Sequence, residues 1–465
     1  MSMPFLQAEK MLRGIPPAGD VPPTGELVKN TLRVAWPSVL ESFLISLVGL
    51  IDTVMVGSLG YYAITAVGLT TQPKFIGLAF FLSLNVAVSA LVARRRGEED
   101  RDSANRVLVQ ALMITLGMTA VISALCVVFA GPIMKLAGAQ EDTYAAASSY
   151  FRIIMGGMAF NTVSMVINAA QRGAGNTKIA MRTNLVSNGV NVLLNYLLIG
   201  GNFGFPRLGV DGAAIATVAG SVFACGMSLF SLVHRDRFLC FRDFGRPRFD
   251  GKTMKSIGKI GSSTLAEQIF LRIGFLTFSI IVAHLGTVAF AAHQIGMNII
   301  SISFSFGDGL SVAAVTLVGQ SLGSQRRDLA KLYGGVCQRL GIGFAALLAV
   351  VFLTGGRWIF RLFSDEEAIL NFGASLMPLV AVVVFLQISQ VIYSGCLRGA
   401  GDTVYTMFVS LISVALIRPL AGFVFCYPLG WGLIGAWVGL AVDQLMRFSL
   451  TWLRFRSGRW MNIRI

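Results

Sequence analysis

Charge is scarce in this sequence. Charged residues make up 13% of the 465 residues, hydrophobic residues make up 55%, and the mean hydropathy is +0.70. A soluble domain has about 25% charged residues, so this composition excludes an ordinary soluble domain. Strict apolar–polar alternation, which marks membrane-spanning β-strands, is also absent. Apolar runs near 20 residues recur instead, and they predict membrane-spanning helices.

Several motifs of catalysis and binding are also missing. The six cysteines are scattered without a C-x-x-C pair, which argues against a metal site or a disulfide framework. No phosphate-binding G-x-x-x-x-G-K-[ST] loop is present, so an ATP-driven pump is not expected. No hydrolase constellation is apparent, and we expect neither an enzyme nor a cofactor. Residues 1–30 lack the apolar core of a signal peptide and are predicted to form a cytoplasmic tail.

Twelve membrane spans are predicted from the apolar runs. Their approximate limits are 30–57, 61–94, 104–130, 144–170, 179–201, 210–233, 257–284, 287–322, 330–355, 368–396, 404–426 and 432–453.

The distribution of basic residues predicts the orientation of these spans. With both termini inside, 29 Lys and Arg residues fall on the inner side and four on the outer side. Basic residues concentrate in cytoplasmic loops, so both termini are predicted to be cytoplasmic in the plasma (inner) membrane. The net charge of +15 is explained in this way, and no nucleic-acid partner is expected.

The chain contains an internal repeat. QRGAGNTK begins at Gln171 and CLRGAGDT at Cys396, which places Arg172 and Arg398 226 residues apart. The same shift carries Glu41 onto Glu267. An even number of spans per half gives both halves the same orientation, so they are parallel repeats.

The predicted fold is therefore an all-α membrane protein with two pseudo-symmetric six-helix lobes around a central cleft. Its predicted parts are an N-terminal tail (1–28), an N-lobe (29–233), a basic linker (234–256), a C-lobe (257–453) and a C-terminal tail (454–465).

One acid occurs in the first half only. Asp52 lies inside the first span, and its counterpart in the second half is Phe278. A carboxylate inside an apolar helix is costly and is by default a functional candidate. The repeat acts as an internal control, since features common to both halves serve the architecture. We therefore predict that Asp52 takes up a coupling cation.

An amide stripe accompanies this acid. Asn184, Asn188, Asn191 and Asn195 follow one another at spacings of 4, 3 and 4 residues, which places them on one helical face. Asn191 and Asn195 are predicted to form the coupling site with Asp52, and Asp52 and Asn191 are candidate Na⁺ ligands. Interhelical hydrogen bonding is the alternative for the asparagines.

Other buried polar residues are candidates for contact with cargo or for gating. Glu41 and Glu267 occur in both halves, which favours a structural or gating role, although Glu267 could also contact cationic cargo. Arg418 either pairs with a carboxylate or helix-end carbonyl or lines the cleft. His293 is a lone imidazole, so a structural or cavity role is favoured over a ligand role. The full set is Glu41, Glu267, Gln294, Gln387 and Arg418.

From Thr31 to Trp452 the chain resembles the multidrug and toxic compound extrusion (MATE) transporters. The resemblance rests on IDTVMVGSLG, LGTVAFAAHQIG, VGQSLG, the paired RGAG segments and NVLLNYLLIGG, in that frame. It implies export of cationic, amphiphilic small molecules in exchange for H⁺ or Na⁺, by a protein that functions as a monomer among membrane lipids. It also implies that Thr217 joins the site of Asp52.

Two positions depart from the family pattern. Asn195 is an amide where relatives have an acid, and Gln387 stands at an acidic position of a second-lobe sodium site, which therefore looks incomplete. H⁺ is favoured over Na⁺ for these reasons. A flippase for lipid-linked oligosaccharides from the same broader superfamily is the main alternative; a nutrient facilitator and a non-transporting receptor are further ones.

Overall fold

The computed structural model describes residues 11–12, 16–234, 237–241, 250–361 and 367–463. Parts of the predicted tails and of the basic linker therefore lie outside the described residues. Within them the secondary structure is helical, which confirms the all-α prediction. The helices are α1 Thr24–Gly57, α2 Tyr61–Gly97, α3 Arg101–Val128, α4 Ala130–Leu136, α5 Glu141–Gly156, α6 Met158–Gly173, α7 Thr177–Gly200, α8 Gly209–Phe230, α9 Gly251–Ala283, α10 Thr287–Gly323, α11 Arg327–Arg361, α12 Glu367–Gly399, α13 Thr403–Ser410, α14 Arg418–Cys426 and α15 Gly432–Ser457.

Most of the predicted spans appear as long apolar helices. In the described part of the chain, ten helical segments are long and apolar enough to cross a membrane, or eleven if the bent pair α5–α6 counts as one span. The remaining predicted span corresponds to α7, which has 24 residues and carries the asparagine stripe. Amides lower the hydropathy of α7, and they also mark it as a helix with a polar task.

The repeat is visible in the backbone. Gly60 precedes α2 with φ 113°, and Gly286 precedes α10 with φ 103°. Gly175 and Gly401 in the two RGAG turns have φ 90° and 83°. Glycine adopts positive φ without the steric cost that other residues meet. The shared sequence shift thus places the same left-handed turns between corresponding helices.

The described chain forms two compact units. One comprises Phe43–Gly261, and the other comprises Met1–Ser42 with Ser262–Ile465. The start of α1 packs on α10 inside the second of these units: Ser42 donates a hydrogen bond to Asp308 at 3.1 Å, and Val39 lies against Gly309. The lobe limits 29–233 and 257–453 remain predictions.

A π-helical segment, Leu411–Ile417, separates α13 from α14. Its counterpart under the repeat lies in α7, which is α-helical throughout. The i→i+5 hydrogen bonds of a π-helix hold more residues per turn, and such segments are frequent at functional sites. The segment ends immediately before Arg418, where α14 begins.

Candidate functional site

Asp52 is the centre of a polar cluster in the unit formed by Phe43–Gly261. It lies near the C-terminal end of α1 and is half-buried. Its Oδ1 accepts a hydrogen bond from Asn195 Nδ2 at 2.7 Å. The donor is 1% exposed, so water competes little for this bond. A charge-assisted bond of this kind contributes about 1.5–3 kcal/mol.

Asn191 extends the cluster toward α8. In the amide orientation that satisfies both of its polar atoms, Asn191 donates to Asp52 Oδ1 at 2.9 Å and accepts from Thr217 Oγ1 at 3.1 Å. Thr217 Oγ1 also lies 3.0 Å from the carbonyl of Ala213, one turn earlier. The structure therefore brings together the four residues that the sequence assigns to the coupling site.

Local sequence explains how three helices meet here. Asn191 and Asn195 are four residues apart on α7, so they lie one above the other on one face. Gly220 allows α8 to approach α7 closely, because a Cβ at this position would lie 2.7 Å from the Ser187 carbonyl oxygen. Small residues at such contacts are typical of helices packed in membranes.

The amides suit both protonation states of the acid. An amide N–H donates to a carboxylate, and after rotation its oxygen accepts from a carboxylic acid. Asn195 Oδ1 is buried and has no hydrogen-bond partner within the described residues, so an acceptor is present. The same oxygens, with Thr217 Oγ1, are the hard ligands that Na⁺ would require.

Two neighbours of Asp52 escaped the sequence reasoning. Lys74 on α2 is half-buried and interacts electrostatically with Asp52. Tyr150 on α5 is 7% exposed and also lies within the field of Asp52. The rule that singled out Asp52, an ionisable side chain inside an apolar span, would have found Lys74.

An apolar cavity of about 540 Å³ lies beside the cluster. Val48 and Met55 line it from α1, one turn before and one turn after Asp52. Asn188 and Val192 line it from α7, on the turns that carry Asn191 and Asn195. Sites for drug-sized molecules have volumes of about 300–1,000 Å³.

Glu267 occupies a separate polar site in the second unit. Its carboxylate accepts hydrogen bonds from Arg398 at 2.7 Å, Thr406 at 3.0 Å and Ser410 at 3.2 Å. The residue is 1% exposed. Arg398 is the arginine of the second RGAG segment, so this turn is fixed to α9 by a buried ion pair.

Arg418 lies in a buried ion pair. Its Nε and Nη2 donate to Asp443 Oδ2 on α15 at 2.9 and 2.5 Å, and its guanidinium lies over the ring of Phe275. Of the alternatives for Arg418, the structure contains a carboxylate partner. The sequence reasoning missed Asp443, an acid inside the last apolar span that the same rule would have flagged.

The other candidates are dispersed. Glu41 is buried on α1, Gln294 is exposed on α10, and Gln387 on α12 has a buried Oε1 with no hydrogen-bond partner in the described residues. His293 is 4% exposed and lies among aromatic rings, including that of Trp437 at 5.8 Å between ring centroids. In the described chain, no three His, Cys, Asp or Glu side chains are grouped to hold a metal ion.

Comparisons with known proteins agree with this architecture. The outward-facing conformation of a multidrug resistance MATE family transporter of the MOP superfamily has a TM-score of 0.86 at 20% identity, covering 99% of each chain. A crystal structure of MATE in complex with MaD3S has a TM-score of 0.85 at 21% identity, covering 93% of this chain and 97% of the other. These likenesses show the fold.

Curated relatives match along nearly their whole length. The probable multidrug resistance protein NorM of Thermotoga maritima is 27% identical over 446 residues, 96% of this chain and 95% of the relative. NorM of Rhizobium meliloti is 29% identical over 423 residues, 88% and 89% of the two chains. The multidrug resistance protein MdtK of Edwardsiella ictaluri is 26% identical over 447 residues, 93% and 97%.

A family model matches the chain twice. The MatE model covers residues 37–197 and again 264–424, so the two matches begin 227 residues apart. This spacing agrees with the repeat found in the sequence. Together the two matches cover more than half of the chain. The chain is therefore a multi-pass membrane transporter, not an enzyme, and it belongs to the MatE family.

Proposed function

We propose that the protein is an H⁺-coupled antiporter that exports cationic amphiphilic compounds by alternating access. The relatives named as multidrug resistance proteins support the cargo class. The observation that carries the coupling mechanism is the hydrogen-bonded cluster of Asp52, Asn191, Asn195 and Thr217, assembled from α1, α7 and α8. Na⁺ is the second candidate for the coupling ion.

The cluster can exist in two charge states. When Asp52 is ionised, two amide N–H groups stabilise its carboxylate. When Asp52 is protonated, its O–H needs an acceptor, and the buried Asn195 Oδ1 supplies one. The change from amide donor to amide acceptor rearranges α1 against α7. In this way proton uptake becomes a change of packing.

Cargo and proton compete for one charge. The 540 Å³ cavity has an apolar lining and shares its α1 face with Asp52. A cationic amphiphile could place its apolar body there and its charge near the carboxylate. Protonation of Asp52 removes that attraction, so cargo leaves when a proton enters. A ligand shifts an equilibrium only by its differential affinity, and here the difference is one charge.

A transport assay separates the candidate ions. Proteoliposomes loaded with a fluorescent organic cation are exposed to an inward H⁺ gradient or an inward Na⁺ gradient. We expect the H⁺ gradient alone to drive efflux in wild type and to fail in Asp52→Asn. Efflux driven by Na⁺ alone would refute the ion, and normal efflux in Asp52→Asn would refute the site.

Two variants serve as controls in this assay. Asn188→Ala removes an amide of the same helix whose Nδ2 has no hydrogen-bond partner within the described residues, and it should retain coupling. Glu267→Gln tests the acid of the other unit. If Glu267→Gln abolishes coupling while Asp52→Asn does not, coupling belongs to the second half of the chain.

We also infer that both termini lie in the cytoplasm of a monomer in the inner membrane. The excess of basic residues in the predicted inner loops supports this orientation. Reporter fusions at each terminus test it, and a reporter that is active only outside the cell would refute it. Size-exclusion chromatography with light scattering tests the monomer.

A further inference from the structure

Lys74 is a charge inside a membrane span. It is the fourteenth residue of α2, which begins at Tyr61, so it lies about 20 Å along the helix at 1.5 Å per residue. Within the described residues no hydrogen-bond or ion-pair partner contacts it, and its nearest aromatic ring is that of Phe75, 5.8 Å from Nζ to the centroid. A lysine so far from the helix ends is costly and calls for a partner or a function.

Asp52 is the charge that Lys74 addresses. A short turn at residues 58–60 joins α1 to α2, so both residues are measured from the same end of their helices. Side chains on a helix point toward its N-terminus, and for Lys74 that direction leads toward the level of Asp52. Each of the two groups lies in the electrostatic field of the other.

Lys74 cancels the negative charge of the cluster. Among the described residues, the titratable groups acting on Asp52 are Lys74 from α2 and Tyr150 from α5. The groups supplied by α7 and α8 are neutral amides and a hydroxyl. With Asp52 ionised and Lys74 protonated, the site has no net charge.

This cancellation affects the two candidate ions differently. Na⁺ is held by electrostatic attraction to oxygen ligands, so a site without net negative charge gives it little driving force. H⁺ forms a covalent O–H bond with the carboxylate, and that bond is available even when a cation lies nearby. Protonation leaves Lys74 as an uncompensated cation, which also repels cationic cargo.

We propose that Lys74 is the selectivity element of the Asp52 site, excluding Na⁺ and leaving H⁺ as the coupling ion. This inference rests on the proposed function, in which Asp52 is the coupling acid. A unit charge acting over roughly 6–10 Å at an effective dielectric of about 20 changes the affinity for a cation by about 15- to 100-fold. Removing the charge of Lys74 should therefore strengthen Na⁺ binding by that factor.

Binding of ²²Na⁺ to the purified protein tests the proposal directly. We expect Lys74→Met, which keeps an unbranched side chain of similar length, to bind Na⁺ at least 15-fold more tightly than wild type. Lys74→Arg keeps the charge and should resemble wild type. The double variant Lys74→Met/Asp52→Asn should lose the gained binding. Equal Na⁺ affinity in wild type and Lys74→Met, or gained binding that survives Asp52→Asn, would overturn the proposal.

A second measurement guards against a misfolded variant. Lys74→Gln is tested in proteoliposomes for inhibition of H⁺-driven efflux by added Na⁺, which we expect in the variant and not in wild type. Na⁺ inhibition that is the same in both overturns the proposal. Failure of the proposed function has a different signature, since Asp52→Asn would then transport normally whatever the Na⁺ affinity of Lys74→Met.

Discussion

Breaking the Arg418–Asp443 pair should destabilise the protein strongly, whereas removing both charges should not. The two side chains are 1% and 0% exposed, and Nη2 and Nε of Arg418 both bind Asp443 Oδ2. Removing one partner leaves the other charge buried and unpaired, which costs about 3–5 kcal/mol. We therefore expect Arg418→Met and Asp443→Leu each to lower the unfolding free energy by about 3–5 kcal/mol.

The double variant Arg418→Met/Asp443→Leu carries the sharper expectation. A buried ion pair replaced by apolar side chains of similar volume is often neutral or stabilising. One guanidinium nitrogen and one carboxylate oxygen of this pair lack hydrogen-bond partners within the described residues, which limits what the intact pair contributes. We expect the double variant to lie within about 1–2 kcal/mol of wild type.

Reversible unfolding in mixed detergent micelles with increasing SDS measures these free energies. The double-mutant cycle gives the coupling energy between the two residues, which should be several kcal/mol. Arg357 and Glu367 provide a matched control, since their 3.8 Å pair has side chains that are 61% and 81% exposed. Losses that are below about 1 kcal/mol in the single variants, or that add in the double variant, would refute the reasoning.

Three further predictions concern the first half of the chain. Asn195→Ala should slow H⁺-driven efflux at least tenfold, since it removes a buried donor to the carboxylate worth about 1.5–3 kcal/mol; Asn188→Ala should change the rate less than threefold, and equal losses in the two variants would contradict the site. Gly220→Val should lower thermal stability in detergent by more than an exposed Gly→Val control, because its side chain would meet the facing backbone of α7; an unchanged melting temperature would argue against the close helix contact. Asp100 caps α3 by accepting from the Ser103 backbone N–H at 2.9 Å, and the hydrogen bonds from Ser103 lower the pKa of this carboxyl. Asp100→Ala should therefore cost about 1 kcal/mol at neutral pH. Because the pKa is lowered on folding, that contribution is complete above the ordinary value near 3.9 and is lost as the pH falls through the folded value, so wild type and variant should converge in acid.

The sequence located the coupling cluster because the relevant signals are local. Asp52 stands out as an acid within an apolar run, and Asn191 and Asn195 stand out by helical spacing. The internal repeat then separated them from features common to both halves. The structure adds the distances that join them, 2.7 Å from Asn195 to Asp52 among them.

Pairings between distant segments were harder to predict. Glu267 and Arg398 are 131 residues apart, and the side chains between which Glu267 distributes its hydrogen bonds come from α12 and α13. Lys74 and Asp443 were missed for a different reason: each is a single charge in a long apolar run, and its weight in any window is small. The charge itself, rather than the average, was the informative signal.

The π-helical segment could not be foreseen either. Its sequence, LISVALI, has the apolar and β-branched composition of many α-helical spans. Whether such a run winds as α or π depends on its neighbours. Here Gly274 of α9 lies directly against the Val414 carbonyl, within the segment. That contact is tertiary information, which a single sequence does not contain.

This difference in winding limits what could be transplanted from one half of the chain to the other. Phe278, Ile417 and Ala421 are the counterparts of Asp52, Asn191 and Asn195. Exchanging those three for an acid and two amides would restore the composition of the site. The extra residues per turn before Ile417 would still rotate the new amides away from the acid. The two halves have therefore diverged in backbone as well as in side chains, and a second coupling site could be regained only by first removing a residue from the helix.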